Sequence, residues 1–222
     1  MKYLRYLDVS GNRMERLPDW IVGLSNLETL DLSWYQSLME LPRDIKKMFN
    51  LRHLIFEGCS RLTGMPRGIG ELNGVRTLNR FVLSENNCLG RGGGLAKLGT
   101  LNELRGDLQI WNLRHEKDVM SESNVGRPLK DKHHLHSLEL IWKEGEDVKA
   151  VDEEDIIMSM EELQPHSNLK QLSVLHYGGV RFTSWFSSLI NIVHLTLWDC
   201  ERCHLPPLDH LPSLKSLELR WL

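Results

Sequence analysis

Large apolar residues recur along this chain in a fixed order, and the whole series repeats. Residues 26–50 hold one copy, whose apolar positions include Leu27, Leu30, Leu32, Leu38, Leu41, Ile45 and Met48. The preceding copy begins at Leu4 and the following copy at Leu51, so the copies lie 23 and 24 residues apart. Each copy opens with LxxLxL or a conservative variant, in which alternate side chains of an extended strand point to opposite faces. The pattern predicts one short strand per copy, with its leucines facing a core.

A period of this length is typical of leucine-rich repeats, which stack into a solenoid. We therefore predict an α/β fold, a leucine-rich-repeat solenoid with a curved parallel sheet on its concave face. Irregular or short helical segments are expected on the convex side, because a proline there cannot donate a helix or ladder hydrogen bond. Asn12 and Cys59 fall where such repeats favour Asn or Cys to hydrogen-bond the turning backbone. The strands are expected in a single sheet, adjacent in chain order, centred near residues 7, 30, 54, 108, 138, 172, 195 and 217.

The regularity of the repeats changes along the chain. The predicted leucine-rich-repeat domain covers residues 1–222, with regular repeats at 1–82, irregular repeats with insertions at 83–166, and regular repeats at 167–222. The irregular part contains a glycine-rich segment and polar insertions at 115–132 and 143–155. After the second insertion, Ile156, Ile157, Met160 and Leu163 have the spacing of one face of a helix. Both ends lie close to repeat strands, so we expect a fragment truncated at both ends.

Composition excludes several classes of protein. The formal net charge is -3, so the chain lacks the basic excess of nucleic-acid-binding proteins. No run of about eighteen apolar residues occurs, and no membrane span is expected. Four cysteines are too few for a disulfide framework, and none of the twelve asparagines lies in an Asn-X-Ser/Thr acceptor. We therefore predict a cytoplasmic protein without nucleic-acid partners.

Candidate metal and catalytic chemistry is sparse. The segment Cys200-Glu-Arg-Cys203-His204 has the spacing of half a zinc site, but no second CxxC or HxxxH completes it. Packing already explains Cys200, which occupies the same repeat position as Cys59. The motifs GxSxG, HExxH and DFG, typical of hydrolases, metalloproteases and kinases, are absent from the sequence. We predict no catalytic, metal-binding or cofactor-binding residues, and no enzymatic activity.

Residues between the strand leucines carry the candidate recognition chemistry. Alternation places them on the concave face, opposite the core. The predicted protein-binding residues are Trp111, Glu139, Ile141, Gln171, Ser173, His194, Thr196, Trp198, Glu218 and Arg220. Exposed Trp and Ile side chains are unfavourable on a bare sheet, and Trp and Arg are favoured anchors in protein interfaces. Trp111 and Trp198 are therefore either binding anchors or cover for neighbouring strands.

Longer sequence motifs of the chain resemble the leucine-rich-repeat region of plant intracellular coiled-coil nucleotide-binding (NB-ARC) disease-resistance proteins. They follow the family's order and cover essentially the whole chain: VRTLNRFVL at 75–83, LNELRGDLQIWNL at 101–113, LHSLELIW at 135–142, and the segments at 162–186 and 200–219. Thr183 stands where the family usually has Pro, and Asp209 where it usually has Gly. No nucleotide-binding or coiled-coil region lies within these residues, so the resemblance assigns no nucleotide to them.

The resemblance implies a recognition and regulatory module of a plant immune receptor, acting in the defence response. Its expected partners are pathogen effectors or guarded host proteins, and the receptor's own nucleotide-binding domain in the full-length chain. The alternative is a non-immune intracellular leucine-rich-repeat scaffold in signalling. A nucleotide-binding domain encoded upstream would favour the receptor.

Overall fold

Two compact units make up the chain, Met1–Asp107 and Leu108–Leu222. The computed structural model describes residues 3–84, 94–115, 127–145, 151–205 and 208–221. Most of the glycine-rich segment and parts of both predicted insertions lie outside the described residues. The assignment of regular and irregular repeats to 1–82, 83–166 and 167–222 stays a prediction.

Parallel strands in the expected register form the sheet of the amino-terminal unit. They are β1 (Tyr6–Asp8), β2 (Thr29–Asp31), β3 (His53–Ile55) and β4 (Thr77–Leu78), paired in chain order. Leu7, Leu30, Leu54 and Leu78 stand opposite one another across the ladder. The repeat period therefore sets the strand register, as the leucine spacing predicts.

The first sheet ends at β4, and Asn79 shows why. In two earlier repeats the amide that follows the strand, on Val9 or Leu32, donates to a backbone carbonyl of the next strand. In the third repeat the equivalent amide of Phe56 donates instead to the side-chain Oδ1 of Asn79, at 2.8 Å. The backbone leaves the ladder here and starts β5 (Arg80–Val82) in a different sheet. The prediction of one continuous sheet is wrong at this point, and the sequence reading also missed β4 and β5.

Five further strands follow in chain order in the second sheet. They are β6 (Gly106–Leu113), β7 (Leu135–Trp142), β8 (Gln171–Leu175), β9 (His194–Trp198) and β10 (Ser216–Arg220). From β7 to β10 the pairing is parallel, and Leu138, Leu172, Leu195 and Leu217 share one register position. The strands predicted near 108, 138, 172, 195 and 217 are confirmed.

Short helical segments return the chain from one strand to the next. The 3₁₀ segments are Asp19–Gly23, Ile45–Lys47, Arg67–Glu71, Ser184–Ser188 and Leu208–His210, and the α-helices are α1 (Leu95–Gly99) and α2 (Glu153–Glu161). In the first three repeats the proline carbonyl accepts the amide of the isoleucine three residues later, at 3.1 Å each time. That i to i+3 bond starts a 3₁₀ turn and aims the isoleucine at the core. Ile156 and Met160 are buried on α2, as predicted, whereas Ile157 is half-buried and Leu163 is buried beyond the end of the helix.

The strand leucines form the core of both units. Leu30, Leu54, Leu138, Leu172 and Leu195 are at most 1% exposed, as predicted. A second repeat position lies six residues before each of these leucines, on the returning segment. Its occupants are Leu24, Met48, Lys132, His166 and Leu189, all buried except His166, which is half-buried. Lys132 stands out because it is 1% exposed at a place where three of the other four residues are Leu or Met.

Five residues beyond the strand leucine, a side chain closes the turn in several repeats. The carboxamide of Asn12 donates to the carbonyl of Val9 at 2.7 Å, and the thiol of Cys59 donates to that of Leu32 at 3.0 Å. These bonds confirm the predicted turn role of Asn12 and Cys59. Tyr35, at the same position, buries its hydroxyl with no hydrogen-bond partner among the described residues.

Glycine is required at Gly58 for two reasons, and Gly11 provides a matched comparison. Both have left-handed φ angles, +68° at Gly11 and +70° at Gly58. An added β-carbon at Gly58 would also lie 2.5 Å from the indole of Trp34, whereas nothing lies within 4 Å of one at Gly11. We expect Gly11→Ala to cost roughly 1–2 kcal/mol from backbone strain. Gly58→Ala should cost about 1 kcal/mol more, because the indole must move. Urea unfolding of both variants measures the difference, and equal losses would contradict the contact.

Candidate recognition surface

Side chains on the solvent face of the second sheet form three rows that run across the strands. The rows are Ser137, Gln171, His194 and Ser216; Glu139, Ser173, Thr196 and Glu218; and Ile141, Leu175, Trp198 and Arg220. We call them the first, middle and terminal rows. Parallel strands lie about 4.8 Å apart, so neighbours within a row can touch the same partner. All the predicted recognition residues on these four strands lie in the rows.

On β6, Trp111 is held in place by a chain of hydrogen bonds. Its indole N–H donates to Oε1 of Gln109 at 3.1 Å, and Nε2 of Gln109 donates to Oε2 of Glu139 at 2.7 Å. Gln109 thus extends the middle row, and Trp111, two residues later on the same face, extends the terminal row. The ring is half-buried, and its polar edge is satisfied within the sheet. These hydrogen bonds fix the orientation of the Trp111 ring on the sheet.

Two neighbouring side chains, those of Arg220 and Trp221, lie against the ring of Trp198. The guanidinium carbon of Arg220 lies 5.5 Å from its ring centroid, and the ring of Trp221 meets it edge to face at 5.6 Å. Arg220 also pairs with Glu218 at 3.2 Å. The indole nitrogen of Trp198 is buried and has no hydrogen-bond partner among the described residues. Trp221 was not among the predicted binding residues, but it is 69% exposed and lies against the ring of Trp198.

The expectation that Ile141 is exposed is wrong. Its row position is as predicted, but it is only 4% exposed because it stands in the middle of the terminal row. Leu175 flanks it on β8, and the strand order places β6, which carries Trp111, on its other side. Ile141 therefore supports its neighbours and offers little area of its own.

The first and middle rows provide the polar part of the surface. Gln171, His194 and Glu218 are exposed, whereas Glu139, Ser173 and Thr196 are half-buried. The first three repeats differ at the position of the terminal row, where Ser10, the buried Ser33 and Glu57 follow the strands. Large side chains at this position are thus a property of the second sheet and not of every repeat.

A second concave feature lies where the strands of the carboxy-terminal unit end. His115, Lys143, His176 and Asp199 follow β6, β7, β8 and β9 and line a cavity of about 220 Å³. The carboxyl ends of parallel strands meet at one edge of a sheet, which is why these residues converge. His176 and Asp199 lie 2.7 Å apart, Nδ1 to Oδ2, and both have positive φ angles. The sequence reading missed this site, although Gly11 and Gly58 mark the same turn position in the first repeats.

The cysteines of the Cys200-x-x-Cys203 motif are packed thiols. Burial raises the pKa of Cys200 to about 11 and that of Cys203 to about 12, so both are protonated at neutral pH. The thiol of Cys200 donates to the carbonyl of Val174 at 3.7 Å, the bond that corresponds to the one from Cys59 to Leu32, and lies 3.5 Å from the carbonyl of Trp198. No group of three or more His, Cys, Asp or Glu side chains that could hold a metal ion occurs among the described residues.

The period, the parallel ladders and the buried leucine positions define a leucine-rich-repeat protein. The model of the R13L1/DRL21 leucine-rich-repeat family matches residues 95–222, and a general leucine-rich-repeat model matches residues 3–24. The chain belongs to the R13L1/DRL21 leucine-rich-repeat family. None of the helices in the described ranges is long and apolar enough to cross a membrane.

Related proteins carry disease-resistance names. Putative disease resistance protein RGA4 of Solanum bulbocastanum is 37% identical over 98% of this chain and 24% of its own length. Putative disease resistance RPP13-like protein 1 of Arabidopsis thaliana is 34% identical over 97% of this chain and 23% of its own length. The chain therefore spans about a quarter of the length of these relatives.

Solved structures share the fold at low sequence identity. A leucine-rich-repeat protein of Leptospira interrogans superposes with a TM-score of 0.57 at 19% identity, over 99% of this chain and 55% of its own. The leucine-rich-repeat domain of the type III effector XopL gives 0.54 at 19% identity, over 97% of this chain and 68% of its own. Both likenesses show the leucine-rich-repeat solenoid fold.

Proposed function

We propose that the chain is the recognition and regulatory leucine-rich-repeat module of a plant immune receptor. It would act inside the cell in the defence response, by binding pathogen effectors or guarded host proteins. The observation that carries the proposal is the match to disease-resistance proteins along nearly the whole chain. In the full-length receptor its second partner would be the nucleotide-binding domain, which the module holds inactive until recognition.

The terminal row supports the solvent face of the second sheet as the binding surface. It joins Trp111, Leu175, Trp198 and Arg220 around the buried Ile141, a run of large side chains with polar rows beside it. Interfaces concentrate their binding energy in Trp and Arg side chains surrounded by groups that exclude water. The hydrogen-bonded chain from Trp111 to Glu139 fixes the first anchor before binding. Little ordering entropy then opposes association.

Trp111→Ala tests this surface. We expect loss of the defence response of the full-length receptor, and a loss of about 2 kcal/mol, or about thirtyfold, in affinity for a recognised partner. Trp198→Ala should act in the same direction, with some loss of stability because Arg220 and Trp221 rest on its ring. The measurement is the response of leaf tissue to a pathogen strain that triggers the parent receptor, with circular dichroism melting of each variant chain.

Trp20→Ala is the matched control. Trp20 is 56% exposed and lies on a 3₁₀ segment of the amino-terminal unit, so its loss should leave the response unchanged. A parental response from both Trp111→Ala and Trp198→Ala would refute the proposed surface. Unfolding of both variants would also count against it, since the residues would then serve the core alone.

A further inference from the structure

The sequence contains a single Asn-Gly pair, Asn73-Gly74, in the turn that leads to β4. Asparagine is a thermolabile residue, because the backbone nitrogen of the next residue can attack its side-chain amide. Glycine hinders this attack least, since it has no β-carbon. Every other asparagine of the chain is followed by a residue that carries a side chain.

Gly74 stands at a repeat position that holds asparagine in several other repeats, four residues before the strand leucine. At this position the side-chain Nδ2 donates to a backbone carbonyl of the preceding repeat, at 2.8, 3.4 and 3.0 Å for Asn50, Asn168 and Asn191. In the repeat of β4 the asparagine is displaced by one residue, to the exposed Asn73. Its carboxamide has no hydrogen-bond partner among the described residues. Nothing in the described fold therefore holds it away from the next backbone nitrogen.

The backbone nitrogen that follows the asparagine is engaged in those repeats but not after Asn73. Each bonded asparagine is followed by an amide that donates to the carbonyl three residues earlier, at between 2.9 and 3.1 Å. These amides belong to Leu51, Leu169 and Ile192. Before β4 the corresponding bond is made by Val75, which donates to Leu72 at 3.0 Å. The N–H of Gly74 itself has no partner in the described ranges.

A cation lies beside Gly74. Nη1 of Arg52 is 3.5 Å from the place where a β-carbon on Gly74 would lie. This guanidinium has no ion-pair partner in the part of the chain that the structure describes. A neighbouring positive charge favours loss of the proton from the attacking nitrogen, and it stabilises the oxyanion that forms on the attacked carbonyl.

We propose that Asn73 is a site of spontaneous deamidation, which converts it to aspartate and isoaspartate. The Gly74 nitrogen loses its proton and forms a bond to Cγ of Asn73, while the Cγ–Nδ2 bond breaks and Nδ2 leaves as ammonia with that proton. Water then opens the five-membered succinimide ring. Cleavage of the new N–Cγ bond gives aspartate, and cleavage of the bond from the nitrogen to the backbone carbonyl carbon gives isoaspartate. Water is the only co-reactant.

The reaction changes the turn that precedes β4. Both products place a carboxylate near Arg52. Isoaspartate also adds one methylene group to the backbone between Leu72 and Val75, which the turn hydrogen bond joins. Because that bond depends on the length of the loop, isoaspartate weakens the turn, and the amino-terminal unit loses stability as the protein ages.

Mass spectrometry of the aged chain tests the proposal. Trypsin releases Asn73 in the peptide 68–76 and Asn50 in the peptide 48–52, and deamidation replaces an NH2 group by OH in either. We expect Asn73 to deamidate at least about tenfold faster than Asn50, a factor that corresponds to about 1.4 kcal/mol of barrier. The rate at Asn73 should rise from pH 7 to pH 9, because the Gly74 nitrogen must lose a proton.

Gly74→Ala is the matched variant. Its added β-carbon would meet only ordinary contacts, and the φ angle of Gly74 is not left-handed, so the fold is kept. It should slow deamidation of Asn73 at least about tenfold, and Arg52→Gln should slow it about two- to fivefold, the range of one exposed charge interaction. Equal rates at Asn73 and Asn50, or a parental rate in Gly74→Ala, would overturn the proposal. A parental rate in Arg52→Gln would refute the role of the cation.

Urea unfolding of fresh and aged chains measures the consequence for stability. The aged parent should unfold at a lower urea concentration than the fresh parent, whereas aged and fresh Gly74→Ala should unfold alike. Equal midpoints of fresh and deamidated parent would refute the weakened turn. The reaction involves no partner, so its outcome is independent of the proposed function.

Discussion

Replacing Lys132 with methionine should raise the free energy of unfolding by roughly 2–3 kcal/mol at pH 7. Lys132 is 1% exposed and occupies a core position that Leu or Met fills in most other repeats. Burial lowers the pKa of its ammonium group from 10.5 to about 8, and the nearby carboxylate of Asp131 offsets only part of that effect. The protonated side chain is therefore disfavoured in the folded state. Methionine has nearly the same length and carries no charge.

The buried ammonium group of Lys132 also predicts that the free energy of unfolding depends on pH. Because the folded-state pKa lies below the unfolded-state pKa, the unfolded chain binds more protons between about pH 8 and 10.5, and stability rises with pH there. Below about pH 8 both states are protonated and the full penalty remains. The parent protein should gain stability across this window relative to Lys132→Met, which lacks the titrating group. The advantage of the variant should therefore shrink as the pH rises.

Urea unfolding of parent and variant at pH 7 and pH 10 measures both effects. Lys130→Met is the control, since Lys130 is exposed two residues away, and we expect a change within about 0.5 kcal/mol. A Lys132→Met variant no more stable than the parent at pH 7 would contradict the burial penalty. A stability difference that does not change with pH would contradict its origin in the ammonium group.

Leu195→Ala should lower the free energy of unfolding by roughly 2–5 kcal/mol, because a buried leucine leaves a cavity that the rigid sheet cannot fill. Leu195 is 1% exposed and lies between β8 and β10, opposite Leu172 on one side and Leu217 on the other. The effect should be cooperative within the carboxy-terminal unit, since the strands share one ladder.

Leu217→Ala is the matched comparison for Leu195→Ala. Leu217 holds the same repeat position but is 39% exposed on β10. Its truncation should cost about half as much or less, since less apolar area is buried. Urea unfolding of the two variants in the same buffer compares their losses of unfolding free energy. Equal losses would show that register position, and not burial, sets the contribution of each leucine.

Much of the fold could be predicted from the sequence because leucine spacing and strand geometry have simple periods. Copies 23 and 24 residues apart place Leu7, Leu30 and Leu54 opposite one another, and the pairing follows that register. Alternation along each strand then fixes which residues face solvent, so the row positions of Trp111, Glu139 and Trp198 could be assigned before any coordinates existed. The turn bonds of Asn12 and Cys59 follow from the same periodicity.

Other features of the protein depend on contacts between residues that are distant in sequence and meet only in the tertiary structure. Asn79 replaces a ladder carbonyl with its own side chain and ends the first sheet, which no spacing rule indicates. Ile141 is buried because residues from other strands flank it, and Lys132 is buried at a repeat position where His166 is only half-buried. The cavity likewise appears only when the residues after four strands meet at one edge. A repeat pattern determines where each side chain points, but contacts between repeats determine what it meets there.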